Sequence, residues 1–97
     1  MIKVIIVDDE QHCIDRLGGL LAEHSESVHL MGTFKTVEEG INAIKKLQPD
    51  LVFLDVQIHD KTGFDLLHQI NEINFSVIFT TAYERYAVQA IKFSAVD

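Results

Sequence analysis

Short apolar runs rich in β-branched residues alternate, four times over, with longer stretches whose apolar residues recur at helical spacing. No other feature of the chain limits its fold as strongly, because strand and helix bury their apolar residues with different periods. The runs at 2–7 (IKVIIV), 28–34 (VHLMGTF), 51–55 (LVFLD) and 76–81 (SVIFTT) read as strands. Helices are predicted at about 11–24, 37–47, 63–72 and 84–93. The first, third and fourth strands carry consecutive apolar residues and read as buried on both faces. Strands of that kind, joined by helices, form a parallel sheet covered on both sides by right-handed crossovers. The expected class is therefore α/β, a doubly wound parallel sheet.

Local signals agree with the periodicity. Thr36 followed by Glu39 makes a capping box, after which Val37, Ile41, Ile44 and Leu47 share one helical face, and Pro49 ends the element. The first helix places Ile14, Leu17 and Leu21 on one stripe and the third places Phe64, Leu67 and Ile70 on another. Both stripes read as core. No repeat, linker or low-complexity segment interrupts the 97 residues, which leave room for one domain, 1–97.

Composition narrows the function. Acids outnumber bases 15 to 8, for a formal charge of -7, so this segment is expected to make no direct nucleic-acid contact, which needs clustered Lys and Arg. The single cysteine, Cys13, has no internal disulfide partner. No stretch has a signal-peptide pattern or the ~20 apolar residues of a bilayer span, so the expected location is cytoplasmic, with no membrane partner.

In doubly wound sheets ligands bind beyond the carboxyl ends of the strands, and here those ends are acidic. The first strand runs into Asp8, Asp9 and Glu10, and the third ends on Asp55. Carboxylates gathered at one sheet rim repel one another unless a cation neutralises them, and magnesium suits oxygen ligands of this number and kind. The structural alternative is that Asp9 or Glu10 caps the first helix. The fourth strand ends in Thr80 and Thr81, followed by Ala82, and a hydroxyl there can donate to a phosphoryl oxygen on Asp55. Three strand ends then converge.

With VIIVDDE after the first strand, LVFLDVQIHDKTG around Asp55 and FTTAYERYA after the fourth, the whole chain resembles the receiver domain of two-component response regulators. The segments QPDLVFLDVQ and TTAYERYAVQAIKFSAVD look like the LytR/AgrA-type regulators, whose output is a LytTR DNA-binding domain attached after the receiver. The resemblance implies a flavodoxin-like fold with strand order 2-1-3-4-5 and Asp55 as phosphoacceptor, supplied by a phosphohistidine on a sensor histidine kinase. It implies Mg2+ held by Asp8, Asp9, Asp55 and the backbone carbonyl of Gln57. Thr81 would be the switch hydroxyl, relaying through the fourth helix to the output domain; Tyr83 and Tyr86 on its flank suit a partner surface, although aromatics at helical spacing more often simply pack. Such a domain is not an enzyme in its own right, although it takes part in phosphotransfer and in its own dephosphorylation.

The sequence departs from the family pattern in two places. It stops at Asp97, before a fifth strand, a Lys-Pro pair and a fifth helix, so it reads as truncated. Neither Lys92 nor Lys61 stands at a strand end to replace the phosphate-contacting lysine. An uncovered fourth strand would be a sheet edge inviting self-association. The second departure is His59, where the family commonly has proline; it reads as an exposed loop residue rather than a metal ligand, having no second histidine at ligand spacing. His12, His24, His29 and His68 read as surface residues. Cys13 reads as a gap filler between helix and sheet rather than a redox group. Glu38 and Glu39 form a solvated first turn, Asp60 and Glu72 are surface charges, and Asp65 favours the start of the third helix.

Two rival readings differ in chemistry. A pseudo-receiver would share the fold and work without phosphorylation, but Asp8, Asp9, Asp55 and Thr81 are all retained. A phosphatase of the haloacid dehalogenase type would carry a second Asp two positions after the nucleophile, where this chain has Gln57.

Overall fold

The branched side chains of the first apolar run favour extended backbone, and the strand they form lies inside a sheet with a parallel neighbour on each side. The computed structural model describes residues 1–80 and the backbone of Gln89–Lys92. Its elements are β1 (Ile2–Val7), α1 (Gln11–Ala22), β2 (Val28–Phe34), α2 (Val37–Leu47), β3 (Leu51–Asp55), β4 (Gln57–Ile58), β5 (Lys61–Thr62), α3 (Gly63–His68), β6 (Ser76–Thr80) and β7 (Gln89–Lys92). The large sheet runs β2-β1-β3-β6-β7, parallel through β6, while β4 and β5 form a separate antiparallel hairpin. This is the doubly wound, flavodoxin-like receiver arrangement.

Alternation of side chains along β1 and β3 feeds two cores. Ile5, Val7, Val52 and Leu54 face α2 and α3, packing with Val37, Ile41, Ile44, Leu66 and Leu67. Val4, Ile6 and Phe53 face the other way, against Ile14 and the half-buried Leu17 and Leu21 of α1. Full burial of each such side chain contributes roughly 1.5–3 kcal/mol, so both faces of these strands must be apolar for the sheet to be held from both sides. α2 comes especially close to the sheet: a Cβ on Gly40 would lie 2.9 Å from Leu66 Cδ1 and 3.1 Å from both Val7 methyls.

Helix ends follow side-chain chemistry. Thr36 accepts from the Glu39 N–H at the start of α2, and Glu39 Oε1 reaches back one residue further than a standard box, to the Lys35 N–H. α2 stops at Leu47 with Gln48 in a left-handed C-cap, one residue before Pro49. α3 opens on a full capping box between Thr62 and Asp65.

Several sequence expectations need correction. α3 ends at His68 and not near residue 72, because Gln69 and Ile70 bond to carbonyls three residues back and tighten the last turn. Phe64 is off the core stripe and exposed, while Leu67 is buried and Ile70 packs against the core as expected, joined by Gly63 and Leu66, the face set by a helix starting at Gly63. Phe64 rests its ring on Phe79, with centroids 4.8 Å apart. β6 is not buried on both faces: Val77 and Phe79 are buried, but Ser76, Ile78 and Thr80 are half-buried, since on their side the described residues supply only α1, which packs over β2.

The helix expected at 84–93 is also overturned in the part described. Residues Gln89–Lys92 form β7, antiparallel to β6, with Val77 opposite Ile91 and Phe79 opposite Gln89. The N–H and C=O groups along the outer edge of β6 need partners, and this segment of the same chain supplies them. The open β6 edge that was to drive self-association is therefore covered. Thr81, Ala82, Tyr83, Tyr86 and the remainder of the expected helix lie outside the described residues.

Candidate functional site

Strand register assembles the site. Val7 pairs with Leu54 across β1 and β3, so the next residue on each strand, Asp8 and Asp55, meet at the same rim. Asp8 is fixed by a ladder bond from its N–H to Phe34 O, 2.9 Å, and Val56, after Asp55, donates to Thr80 O at 3.1 Å. Asp8 and Asp55 are the buried charged residues among those described, at 3% and 9% exposure, and Asp9 beside them is half-buried. Ligand oxygens of Asp8, Asp9 and Asp55 all lie within 4.8 Å of one another. The expected convergence of strand-end carboxylates is present.

Each carboxylate accepts one backbone N–H. Asp8 Oδ1 takes Glu10 N at 2.9 Å, Asp55 Oδ1 takes Gln57 N at 3.4 Å, and Asp9 Oδ2 takes His59 N at 2.9 Å. These contacts orient the groups without removing their mutual repulsion. Burial pushes the Asp55 carboxyl up to about 7, helped by the charge of Asp8 and by a hydrogen bond shared with it. Burial likewise raises Asp8 above the usual carboxylate range, offset in part by the Glu10 N–H. Buried like charges with only hard oxygen donors are the chemistry that a small divalent cation satisfies, and the donor set fits one.

Helix capping does not account for these acids. Glu10 holds the N-cap position of α1 but makes no side-chain cap bond, and Asp9 turns to His59 instead. Gln57 sits on β4, its side-chain amide donating to the carbonyls of His59, 2.9 Å, and Lys61, 3.1 Å. Lys61 lies on β5 and pairs with Glu38 of α2, so its ammonium is already engaged. Thr80 is directly opposite Asp55; Thr81 lies outside the described residues. Cys13 is half-buried, and burial together with the charge of Asp8 pushes its thiol up, which disfavours a reactive thiolate. His12, His24, His29, His59 and His68 are exposed.

Sequence reasoning missed the hairpin that closes over the cluster. Its tip residue His59 is left-handed, with φ 56, and its far end feeds Gly63, whose N–H donates to Val56 O at 2.9 Å. A Cβ on Gly63 would fall 2.6 Å from the Asp55 carbonyl oxygen, so only glycine lets α3 begin against the backbone of Asp55. The cue was available in Thr62-Gly63-Phe64-Asp65, which combines a turn residue with the capping-box spacing.

The family model described as "Response regulator receiver domain" matches residues 4–97. Over its full length the chain is 37% identical to the sensory transduction protein LytT of Bacillus anthracis, and covers 40% of that protein. It is likewise 37% identical, over its full length, to the transcriptional regulatory protein BtsR of Escherichia coli K12, covering 41% of it. The chain thus spans about 40% of the length of these curated relatives. Among solved structures, the non-phosphorylated HemR receiver domain of Leptospira biflexa is similar with a TM-score of 0.69 and 27% identity, covering 84% of this chain and 65% of that one.

Proposed function

This chain belongs to the response regulator receiver family, and we propose that Asp55 is its phosphoacceptor, loaded by a sensor histidine kinase. The observation that carries the reading is the buried Asp55 at the tip of β3 with Asp8 and Asp9 oxygens within 4.8 Å. An Asp55 oxygen attacks phosphorus, the bond to the donor imidazole nitrogen breaks with its electron pair leaving on nitrogen, and an acyl phosphate forms. The attacking carboxylate must be ionised, a state that burial and the Asp8 charge oppose and that a bound cation would favour.

Asp8, Asp9 and Asp55, with the carbonyl of Gln57, are the residues that would hold Mg2+. Bound there, the ion supplies positive charge to the phosphoryl oxygens. The protein's own part is to present Asp55 in one orientation, through the Gln57 N–H, and to keep it largely out of water. Thr81 follows Thr80, the strand partner of Asp55, and is assigned the switch hydroxyl that closes on the phosphoryl group.

The likeness to proteins named LytT and BtsR supports membership of the LytR/AgrA group and an output role in transcription through a LytTR-type DNA-binding domain. No helix among the described residues is long and apolar enough to cross a membrane, and the assigned setting is the cytoplasm. The segment acts as a phosphorylatable switch rather than as a free-standing enzyme, and the acyl phosphate is lost in time by hydrolysis at the same site.

The test is phosphorylation of the intact protein by a small phosphodonor with Mg2+, read on a phosphate-affinity gel. A shifted band that Asp55→Asn abolishes is expected. Labelling that survives Asp55→Asn, or wild-type protein that takes no phosphate from either a small donor or a kinase, would refute the assignment and favour a phosphorylation-independent module.

A further inference from the structure

We propose that the β4–β5 hairpin is a preorganising clamp on the acidic cluster, and that His59 is its positioning residue, acting on Asp9 through the backbone N–H and not through the imidazole. The inference rests on the reading of Asp8, Asp9 and Asp55 as the cation-binding group. His59 N donates to Asp9 Oδ2 at 2.9 Å, whereas the ring Nδ1 stays 3.6 Å from the same oxygen, outside hydrogen-bond range. The ring itself is 59% exposed. The backbone is what reaches the site.

The contact exists because residue 59 adopts φ 56, a region that L side chains seldom occupy. Such a conformation persists only where its surroundings over-determine it, and here they do. Gln57 Nε2 bridges the carbonyls of His59 and Lys61 across the turn. Lys61 ties the second strand to Glu38 on α2, and Ile58 anchors the first strand in the core at 1% exposure. Gln57 N adds a second contact, to Asp55 Oδ1. The hairpin therefore holds two of the three carboxylates. With Oδ2 of Asp9 held by an N–H, the carboxylate is fixed in direction beside Asp8 and Asp55. A proline at this position would have no N–H to give.

Removing an outer partner of a metal ligand typically weakens the metal about 10–100-fold. In the full-length protein, His59→Pro is therefore expected to raise the Mg2+ dissociation constant, measured by calorimetry, by about 10–100-fold. His59→Gly keeps the N–H and accepts the left-handed backbone, so its affinity should stay within about twofold of wild type. Should His59→Pro fail to fold, amide exchange decides: the His59 N–H should be protected in wild type and exposed in Asp9→Ala. His59→Pro binding as wild type does, His59→Gly as weak as His59→Pro, or a His59 amide indifferent to Asp9→Ala would each overturn the clamp. Wild-type protein that binds no Mg2+ would sink clamp and phosphoacceptor alike. Phosphate uptake that ignores Asp55→Asn would sink only the latter.

Discussion

β3 is bracketed by two aspartates, Asp50 just before its first residue and Asp55 at its last, and they do opposite work. Asp50 is exposed and stitches strands together: its Oδ2 accepts Lys3 N at 2.8 Å, its N–H donates to Lys3 O at 2.7 Å, and its carbonyl accepts Ser76 N at 2.9 Å. Asp55 is buried against Asp8, and its carboxyl is pushed up to about 7. The lesson is that a strand-end carboxylate is shaped by what faces it. One backbone N–H and an exposed position make Asp50 a structural tie, while a second buried carboxylate makes Asp55 a group that needs either a proton or a cation.

The sharpest way to break this contrast is to neutralise each aspartate. Asp55→Asn should abolish phosphate uptake completely, whereas Asp50→Ala should leave it intact, as followed on a phosphate-affinity gel. If uptake tracked Asp50 instead, the functional end of the sheet would be misassigned.

Crowding at Asp55 predicts the next largest effect. Gly63→Ala places a methyl 2.6 Å from the Asp55 carbonyl oxygen, and should destabilise the protein by about 2–4 kcal/mol in urea unfolding. An unchanged midpoint would mean that α3 can move away from Asp55 freely.

The pH dependence sharpens the electrostatic half. Because the folded-state pKa of Asp55 is raised to about 7 from an ordinary 3.8, the folded state binds the proton more tightly than the unfolded state. That stabilisation is fully present below about pH 4 and is lost as pH rises through about 7, a contribution on the order of 4 kcal/mol before solvent screening reduces it. Metal-free protein should therefore lose urea stability between these values through this group. Asp55→Asn should flatten that portion of the profile, and Mg2+ should restore stability at high pH by binding only the folded form. A profile identical in wild type and Asp55→Asn would remove the claim.

The smallest effect belongs to the structural end. Asp50→Ala deletes one side-chain bond to an exposed N–H and should cost about 1 kcal/mol. A loss several times larger would give Asp50 a weight that its exposure does not suggest.

Much of this was legible before any coordinates. The strands at 2–7, 28–34 and 51–55 and the helix at 37–47 appear with those bounds, because each carries a strong local period and, for the helix, a cap at Thr36. Asp8, Asp9 and Asp55 were identifiable as acids following buried strands. Phe64 was misread because its apolarity fitted a stripe whose phase depends on where α3 starts, and that start is set by the Thr62–Asp65 box and by Gly63 pressing on Asp55. The segment at 89–92 was misread because its spacing suits a helix, while the unpaired edge of β6 offered a partner that local spacing does not register.

The amino-acid order by itself determined the βα alternation, the two-faced burial of β1 and β3, and the placing of carboxylates at strand tips, all of which follow from short-range periodicity and backbone preference. The family resemblance implied that the first strand lies beside the third; only the tertiary structure decided the register that sets Asp8 against Asp55, that β7 covers β6, and that a hairpin tip lends its N–H to Asp9. The physical reason is that strand neighbours, burial and electrostatic coupling arise between segments distant along the chain, where the energy of contact depends on three-dimensional proximity and leaves no periodic trace in either segment alone.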